Sequence, residues 1–178
     1  MDSPSKLRLF EQLMMPHLDA AYNLARWLTR NEHDAEDIVQ EAYLRAFRFF
    51  GSFHGGDGKS WLLAVVRNTC LTWRRGENSM AIVTFDEAAH SSAAENSSVE
   101  TALVAQAASG SVRNCIDALP AEFREVIIMR ELEEMPYRDI AAVTSLPIGT
   151  VMSRLARARR RLRDCVAARM NRTKGAAQ

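Results

Sequence analysis

Six arginines between Arg154 and Arg163 carry the densest chemistry in the chain. A guanidinium group stays charged at any physiological pH, and its planar fork fits a phosphate or a guanine edge. From Thr150 to Lys174 the only acid is Asp164, so pairing along one helix cannot neutralise the run. Such a face suits an external polyanion. Val151, Leu155, Ala158 and Leu162 recur at i, i+4, i+7 and i+11, which predicts a helix with these four on its buried side. The opposite arc then holds Gly149, Ser153, Ala156, Arg157 and Arg160, flanked by Met152 and Arg159 on one side and Arg154 and Arg161 on the other. A helix that is small at its centre and framed by arginines can enter a DNA major groove.

A second basic set follows the glycine-rich stretch Gly51 to Ser60. Here Phe53, His54 and Trp61 lie near Lys59, Arg67, Asn68, Arg74 and Arg75. Cations beside aromatic rings and a loop too rich in glycine to be helical fit a single-stranded or unstacked nucleic acid. The spacing predicts core positions for Trp61 and Trp73. Chemistry of other kinds is missing. His17, His33, His54 and His90 have no ligand spacing, and there is no phosphate-binding glycine loop, G-x-S-x-G or H-E-x-x-H. No catalytic apparatus, cofactor or metal site is expected, so the chain does not read as an enzyme. Cys70, Cys115 and Cys165 are odd in number and far apart, which predicts buried or incidental thiols rather than a disulfide framework or a zinc site.

These residues need a scaffold, and the pattern throughout is helical. Pro16 opens a segment striped by Leu18, Ala21, Leu24, Ala25 and Leu28. Asp34 suits the N-cap of a helix reaching about Phe50, with Val39, Ala42, Tyr43, Ala46, Phe47 and Phe50 inward and Asp37, Gln40, Glu41 and Leu44 on the surface. A third helix runs from Lys59 to Arg75, where Leu62, Val65, Val66, Thr69 and Trp73 can pack. No Lys or Arg occurs between Gly76 and Val112, and residues 77–98 read as a flexible linker. Helix returns from Val99, and Leu119-Pro120 starts another segment containing Phe123, Val126, Ile127 and Met129. Pro136 to Arg163 then has the layout of a helix-turn-helix, with Ala141 small enough for a close crossing and Pro147 suited to a first helical turn. The expected fold is all-α: two small helical domains, residues 1–76 and 99–178, joined by that linker. A formal net charge of +1 conceals segregation, because Glu32, Asp34, Glu36, Asp37 and Glu41 cluster early and the basic run comes last. No apolar run approaches the ~20 residues that span a bilayer, and the N-terminus has no signal-peptide core, so a cytoplasmic location without membrane insertion is expected.

Three segments in this order, Asp34 to Arg48, Ser52 to Asn68 and Leu119 to Leu162, resemble the extracytoplasmic function (ECF) sigma factors of bacterial RNA polymerase. The resemblance implies a sigma-2 domain, a linker and a sigma-4 domain. It implies that Asp37, Gln40, Glu41 and Leu44 dock on core polymerase. His54, Gly55, Asp57, Lys59, Ser60, Trp61, Arg67, Asn68, Arg74 and Arg75 would capture and hold the melted −10 strand. Thr150, Met152, Ser153, Arg154, Ala156, Arg157, Arg160 and Arg161 would meet the −35 element as duplex. An alternative sigma factor directing initiation is the function implied, with a dedicated anti-sigma factor as a further partner. Met152 and Ala64 depart from the family, whose members often carry basic residues there. A plain helix-turn-helix regulator would leave the Asp34 to Asn68 block unassigned. A sigma mimic that sequesters an anti-sigma partner would have no use for the arginine face.

Overall fold

A computed structural model describes residues 3–80 and 110–175, with side-chain surroundings for 5–76 and 110–171. All regular structure among the described residues is helical. Helix α1 (Ser3–Met14) leads through a 3₁₀ turn (Met15–His17) into α2 (Leu18–Thr29), and α3 spans Glu32–Phe49. A second 3₁₀ turn (Phe50–Ser52) and a short loop precede α4 (Gly58–Met80). The C-terminal part resumes with α5, described over 110–117, then α6 (Ala121–Ile127), a π-helical turn (Ile128–Leu132), α7 (Tyr137–Thr144) and α8 (Ile148–Gly175).

Local chemistry sets these boundaries. Arg30 adopts the left-handed conformation (φ 64°) that ends α2, and the chain turns at once into α3. The cap of α3 is Asn31, not Asp34: its side-chain oxygen accepts from the backbone N–H of His33 at 2.9 Å and of Asp34 at 3.2 Å. Asn31 is extended (φ −138°, ψ 131°), the geometry a capping residue needs, so the helix begins before Asp34 can cap it. Glu32 and Asp34 instead occupy the first turn, where the helix dipole favours acids. Helix α4 starts at the cap supplied by Asp57 and continues past Arg75 into the stretch read as linker. The rest of that stretch, and the helix expected from Val99 to Ser109, lie outside the described residues.

Helices α1 to α4 form one bundle. Ala21, Leu24, Ala25 and Leu28 of α2 are buried as the stripe predicts, whereas Leu18 is exposed at the helix entry and Ala20 is buried instead. Phe10 of α1 sits edge-on to Tyr43, Phe47 and Phe50 at centroid separations of 6.1, 5.2 and 5.3 Å, which ties α1 to α3. Leu62, Val66 and Thr69 of α4 are buried, and so are Leu63 and Cys70. Helices α6, α7 and α8 form a second bundle around Val126, Ile127, Ile140, Val151, Leu155 and Ala158. Each large side chain enclosed in this way contributes about 1.5–3 kcal/mol relative to exposure.

The two bundles touch. Helix α2 packs against α6, α4 packs against α7, and the buried apolar residues of both form one contiguous cluster. Arg124 is buried at this junction. Its guanidinium donates to the carbonyls of Leu119 (2.7 Å), Asp117 (3.0 Å) and Ile116 (3.3 Å) in its own bundle and to Trp27 (3.1 Å) at the end of α2. The cysteine expectation needs correction: Cys115 of α5 and Cys165 of α8 are joined by a disulfide, while Cys70 is a buried free thiol. The separation of 50 residues hid the pair, since only tertiary packing brings α5 beside the far end of α8.

Candidate nucleic-acid interface

The helix-turn-helix is built from α7 and α8. Pro136 caps α7 in extended conformation, Ser145 closes it in the left-handed region (φ 55°), and the Pro147 carbonyl accepts from Thr150 and Val151 to start α8. Val151, Leu155 and Ala158 are buried and Leu162 is half-buried, as the periodicity requires. Gly149, Met152, Ser153, Ala156, Arg157, Arg159, Arg160 and Arg161 are exposed, and Thr150 is half-buried. The guanidinium of Arg161 stands over the Phe123 ring, 5.1 Å from its centroid, while the residue remains exposed.

Two arginines of α8 are engaged by acids that sequence spacing could not connect to them. Arg159 makes a forked bond to Glu131 at 2.7 and 2.9 Å, and Arg154 lies 3.4 Å from Glu125. The run is therefore partly neutralised from outside its own helix, at sequence separations of 28 and 29 residues. Arg157 and Arg160 are left as exposed charges at the centre of the face, with Arg161 exposed on its flank.

In the N-terminal bundle, the loop before α4 folds back on aromatic rings. Phe53 stacks on Phe50 at 5.9 Å and touches Trp61 at 5.4 Å, so both large rings belong to the scaffold beneath the loop. Gly55 and Gly56 take φ of 88° and 97°, values an L side chain rarely adopts, and stand in open space. His54 is exposed with Nδ1 2.7 Å from the Ser52 carbonyl. Asp57 accepts from the backbone of Lys59 and Ser60 and from the Ser60 hydroxyl. Partial burial pushes the Asp57 carboxyl upward, but those hydrogen bonds outweigh it and hold the pKa below the ordinary value. Asp57 and Ser60 thus serve one another as a helix start. Asn68, Arg74 and Arg75 project from α4 into solvent.

Lys59 and Arg67 depart from the open placement that their spacing predicts. Arg67 makes a forked bond to Glu125 at 2.7 and 3.2 Å, and Lys59 donates to the carbonyl (2.8 Å) and carboxylate (2.9 Å) of Glu133. The physical reason is the packing of α4 against the C-terminal bundle, which puts these cations opposite acids 58 and 74 residues away. Glu125, Glu131 and Glu133 are the site residues that sequence reasoning missed.

A third surface lies on α3. Asp37, Gln40, Glu41 and Leu44 are all exposed at i, i+3, i+4 and i+7, and Leu44 is 65% accessible despite being apolar. Glu41 holds Arg45 at 2.6 Å, and a shallow groove beside them is lined by Ile38, Thr69, Thr72 and Trp73. Among the described residues no three His, Cys, Asp or Glu side chains gather as metal ligands.

With this geometry in place, family models match two parts of the chain: Sigma-70 region 2 over residues 13–79 and Sigma-70 region 4 over residues 109–162. The RNA polymerase sigma-H factor of Pseudomonas aeruginosa is 30% identical over 160 residues, covering 85% of this chain and 83% of that protein. The chain belongs to the ECF sigma factors of the sigma-70 family. Two further relatives agree. The ECF RNA polymerase sigma-E factor of Escherichia coli is 34% identical over 134 residues, 71% of this chain and 70% of that one. ECF RNA polymerase sigma factor SigE of Mycolicibacterium smegmatis is 31% identical over 158 residues, 89% of this chain, which spans only 62% of that relative. Among solved structures, the sigma factor RpoE of Bartonella quintana, crystallised with the anti-sigma factor NepR, is similar with a TM-score of 0.71 and 28% identity, over 89% of this chain and 96% of that one. In this ECF sigma factor, region 2 spans the acidic α3 surface and the loop–α4 unit, and region 4 spans the helix-turn-helix.

Proposed function

We propose that this ECF sigma factor is an alternative initiation factor, acting in the cytoplasm, that joins core RNA polymerase and directs it to promoters with two recognised elements. The observation that carries this reading is the pairing, in one chain, of a duplex-reading face on α8 with an exposed acidic and apolar face on α3. Neither alone specifies a sigma factor, but both are needed by one. No helix among the described residues is long and apolar enough to cross a membrane.

Residues 1–76 are read as sigma-2, 77–98 as the connecting stretch and 99–178 as sigma-4, a reading supported by the region 2 match over 13–79 and the region 4 match over 109–162. Sigma-4 anchors first, because Arg157, Arg160 and Arg161 reach phosphates and base edges of duplex −35 DNA while Ser153 and Ala156 let the helix sit close. Sigma-2 then takes a base everted from the −10 element into the His54–Ser60 loop, whose glycines can re-form around it. Trp61 supports that loop from below, and Asn68, Arg74 and Arg75 hold the strand. Stacking is lost at the everted base and replaced by pocket contacts, so opening is driven by binding. The chain contributes recognition, and catalysis stays with the polymerase. An anti-sigma factor that covers the α3 surface is a further partner, a reading supported by the similar Bartonella quintana sigma factor, which forms a complex with the anti-sigma factor NepR.

Capture of core polymerase tests the docking surface. Glu41→Lys is expected to abolish co-purification while the helical circular dichroism stays that of the parent. Undiminished capture by the variant contradicts the assignment.

A further inference from the structure

Two of the large apolar side chains that the fold leaves in solvent lie together at the start of α8: Ile148 is 50% accessible and Met152 51%. They stand at i and i+4, so they share one edge of the helix, beside Gly149 and the exposed Ala156. Arg159 continues the same edge, but Glu131 holds it through the forked bond at 2.7 and 2.9 Å. From Ile148 to Arg159 this edge therefore presents apolar surface, and its cation is already engaged. The opposite edge carries Arg154 and Arg161 instead.

A helix about 10–12 Å across fills a major groove about 12 Å wide, so at the end that enters the groove its edges meet bases as its centre does. Helix-turn-helix proteins place the N-terminal residues of the second helix there. Met152 lies in the second turn of α8, whereas Arg161 is roughly 13 Å further along, where the helix leaves the groove for the backbone. On the groove wall one base presents an apolar group, the C5-methyl of thymine, while the other base edges present hydrogen-bond donors and acceptors. A thioether is a weak acceptor and no donor, so laid over those edges it removes their water and returns little. Over a methyl group it gains contact without that cost, and the unbranched Met side chain adjusts to reach it.

We propose that Met152 is a specificity-determining residue of this chain, which, with Ile148 beside it, selects a thymine in the −35 element by contact with the C5-methyl group. The inference rests on the assignment of α8 to duplex −35 DNA and adds the base that this edge prefers. Arg157 and Arg160 supply charge to the same face, and Met152 supplies discrimination.

Uracil isolates the contact, because it pairs as thymine does and lacks only the methyl. Duplexes are selected from a randomised library by the full chain assembled with core polymerase, and each thymine of the selected −35 element, on both strands, is replaced in turn by uracil. One replacement is expected to weaken binding by the parent about fourfold, the loss that goes with one buried methyl-sized group at about 0.8 kcal/mol. Met152→Ala is expected to bind the thymine duplex about fourfold more weakly than the parent and to ignore that uracil. Met152→Leu, which conserves volume, keeps the discrimination. Unchanged helical circular dichroism and capture by core polymerase establish that both variants are folded. A parent that tolerates uracil at every position, or a Met152→Ala variant as sensitive to it as the parent, overturns the role of Met152 and leaves the assignment of α8 standing. If the selected duplexes share no −35 element, that assignment falls and the inference falls with it.

Discussion

Arg161 of α8 lies over the ring of Phe123 in α6, its guanidinium carbon 5.1 Å from the centroid, so one edge of the charge is seated on the bundle while the other faces solvent. Arg161 flanks the small centre of the α8 face, where a phosphate contact is expected. Replacing it with alanine is expected to weaken binding to all duplex sequences evenly and to reduce the slope of log K against log salt by about 1. Fluorescence anisotropy over a salt series reads this directly, and an unchanged slope contradicts it.

Arg157 sits four positions earlier on the exposed face, free of the acids that engage Arg154 and Arg159. Arg157→Ala is expected to cost about 1–3 kcal/mol on the cognate −35 sequence and much less on unrelated duplex, because a base contact is lost. Equal losses on both sequences would make Arg157 a phosphate contact instead.

Arg124 is expected to be the costliest charge to remove. Burial and then the nearby Arg30 pull its pKa below the ordinary arginine value, and the four carbonyls around it stabilise the charged form. Arg124→Met leaves the carbonyls of Ile116, Asp117, Leu119 and Trp27 without their donor, a loss of about 3–5 kcal/mol. Chemical denaturation measures it, and a loss below about 1 kcal/mol contradicts the account.

The elements whose information is local were legible in the sequence. The buried side of α8, the exposed α3 quartet and the turn between α7 and α8 follow from periodicity and turn residues, whereas α8 runs on to Gly175 and two of its arginines are engaged by Glu125 and Glu131. Contacts across long separations were not legible. Nothing around Glu125 announces that it will meet Arg67, and nothing around Cys115 announces Cys165. The cap of α3 was misplaced for a subtler reason, since Asn31 and Asp34 are both good capping residues and only the backbone turn at Arg30 decides between them.

Alkali should unfold the N-terminal bundle early. Burial raises the Cys70 thiol from 9.0 to about 12, and burial with the Asp19 charge raises Tyr43 from 10.0 to about 12. Both groups are neutral when folded, and the Tyr43 hydroxyl donates to the Met14 carbonyl at 2.9 Å. Their contribution is complete below pH 9, where the unfolded thiol is still protonated. It is lost as pH rises toward 12. Thermal midpoints should fall across that window, and Cys70 should resist alkylation at pH 8 until denaturant is added. Labelling of native and unfolded Cys70 at equal rates contradicts the burial.

Run-off transcription tests the central claim most directly. Core polymerase supplied with this chain and genomic fragments is expected to give discrete transcripts absent with core alone, reduced about tenfold or more by Arg157→Ala and abolished by Glu41→Lys. Transcripts no different from those of core alone, from a chain that binds both core and duplex, would contradict the proposed role in initiation.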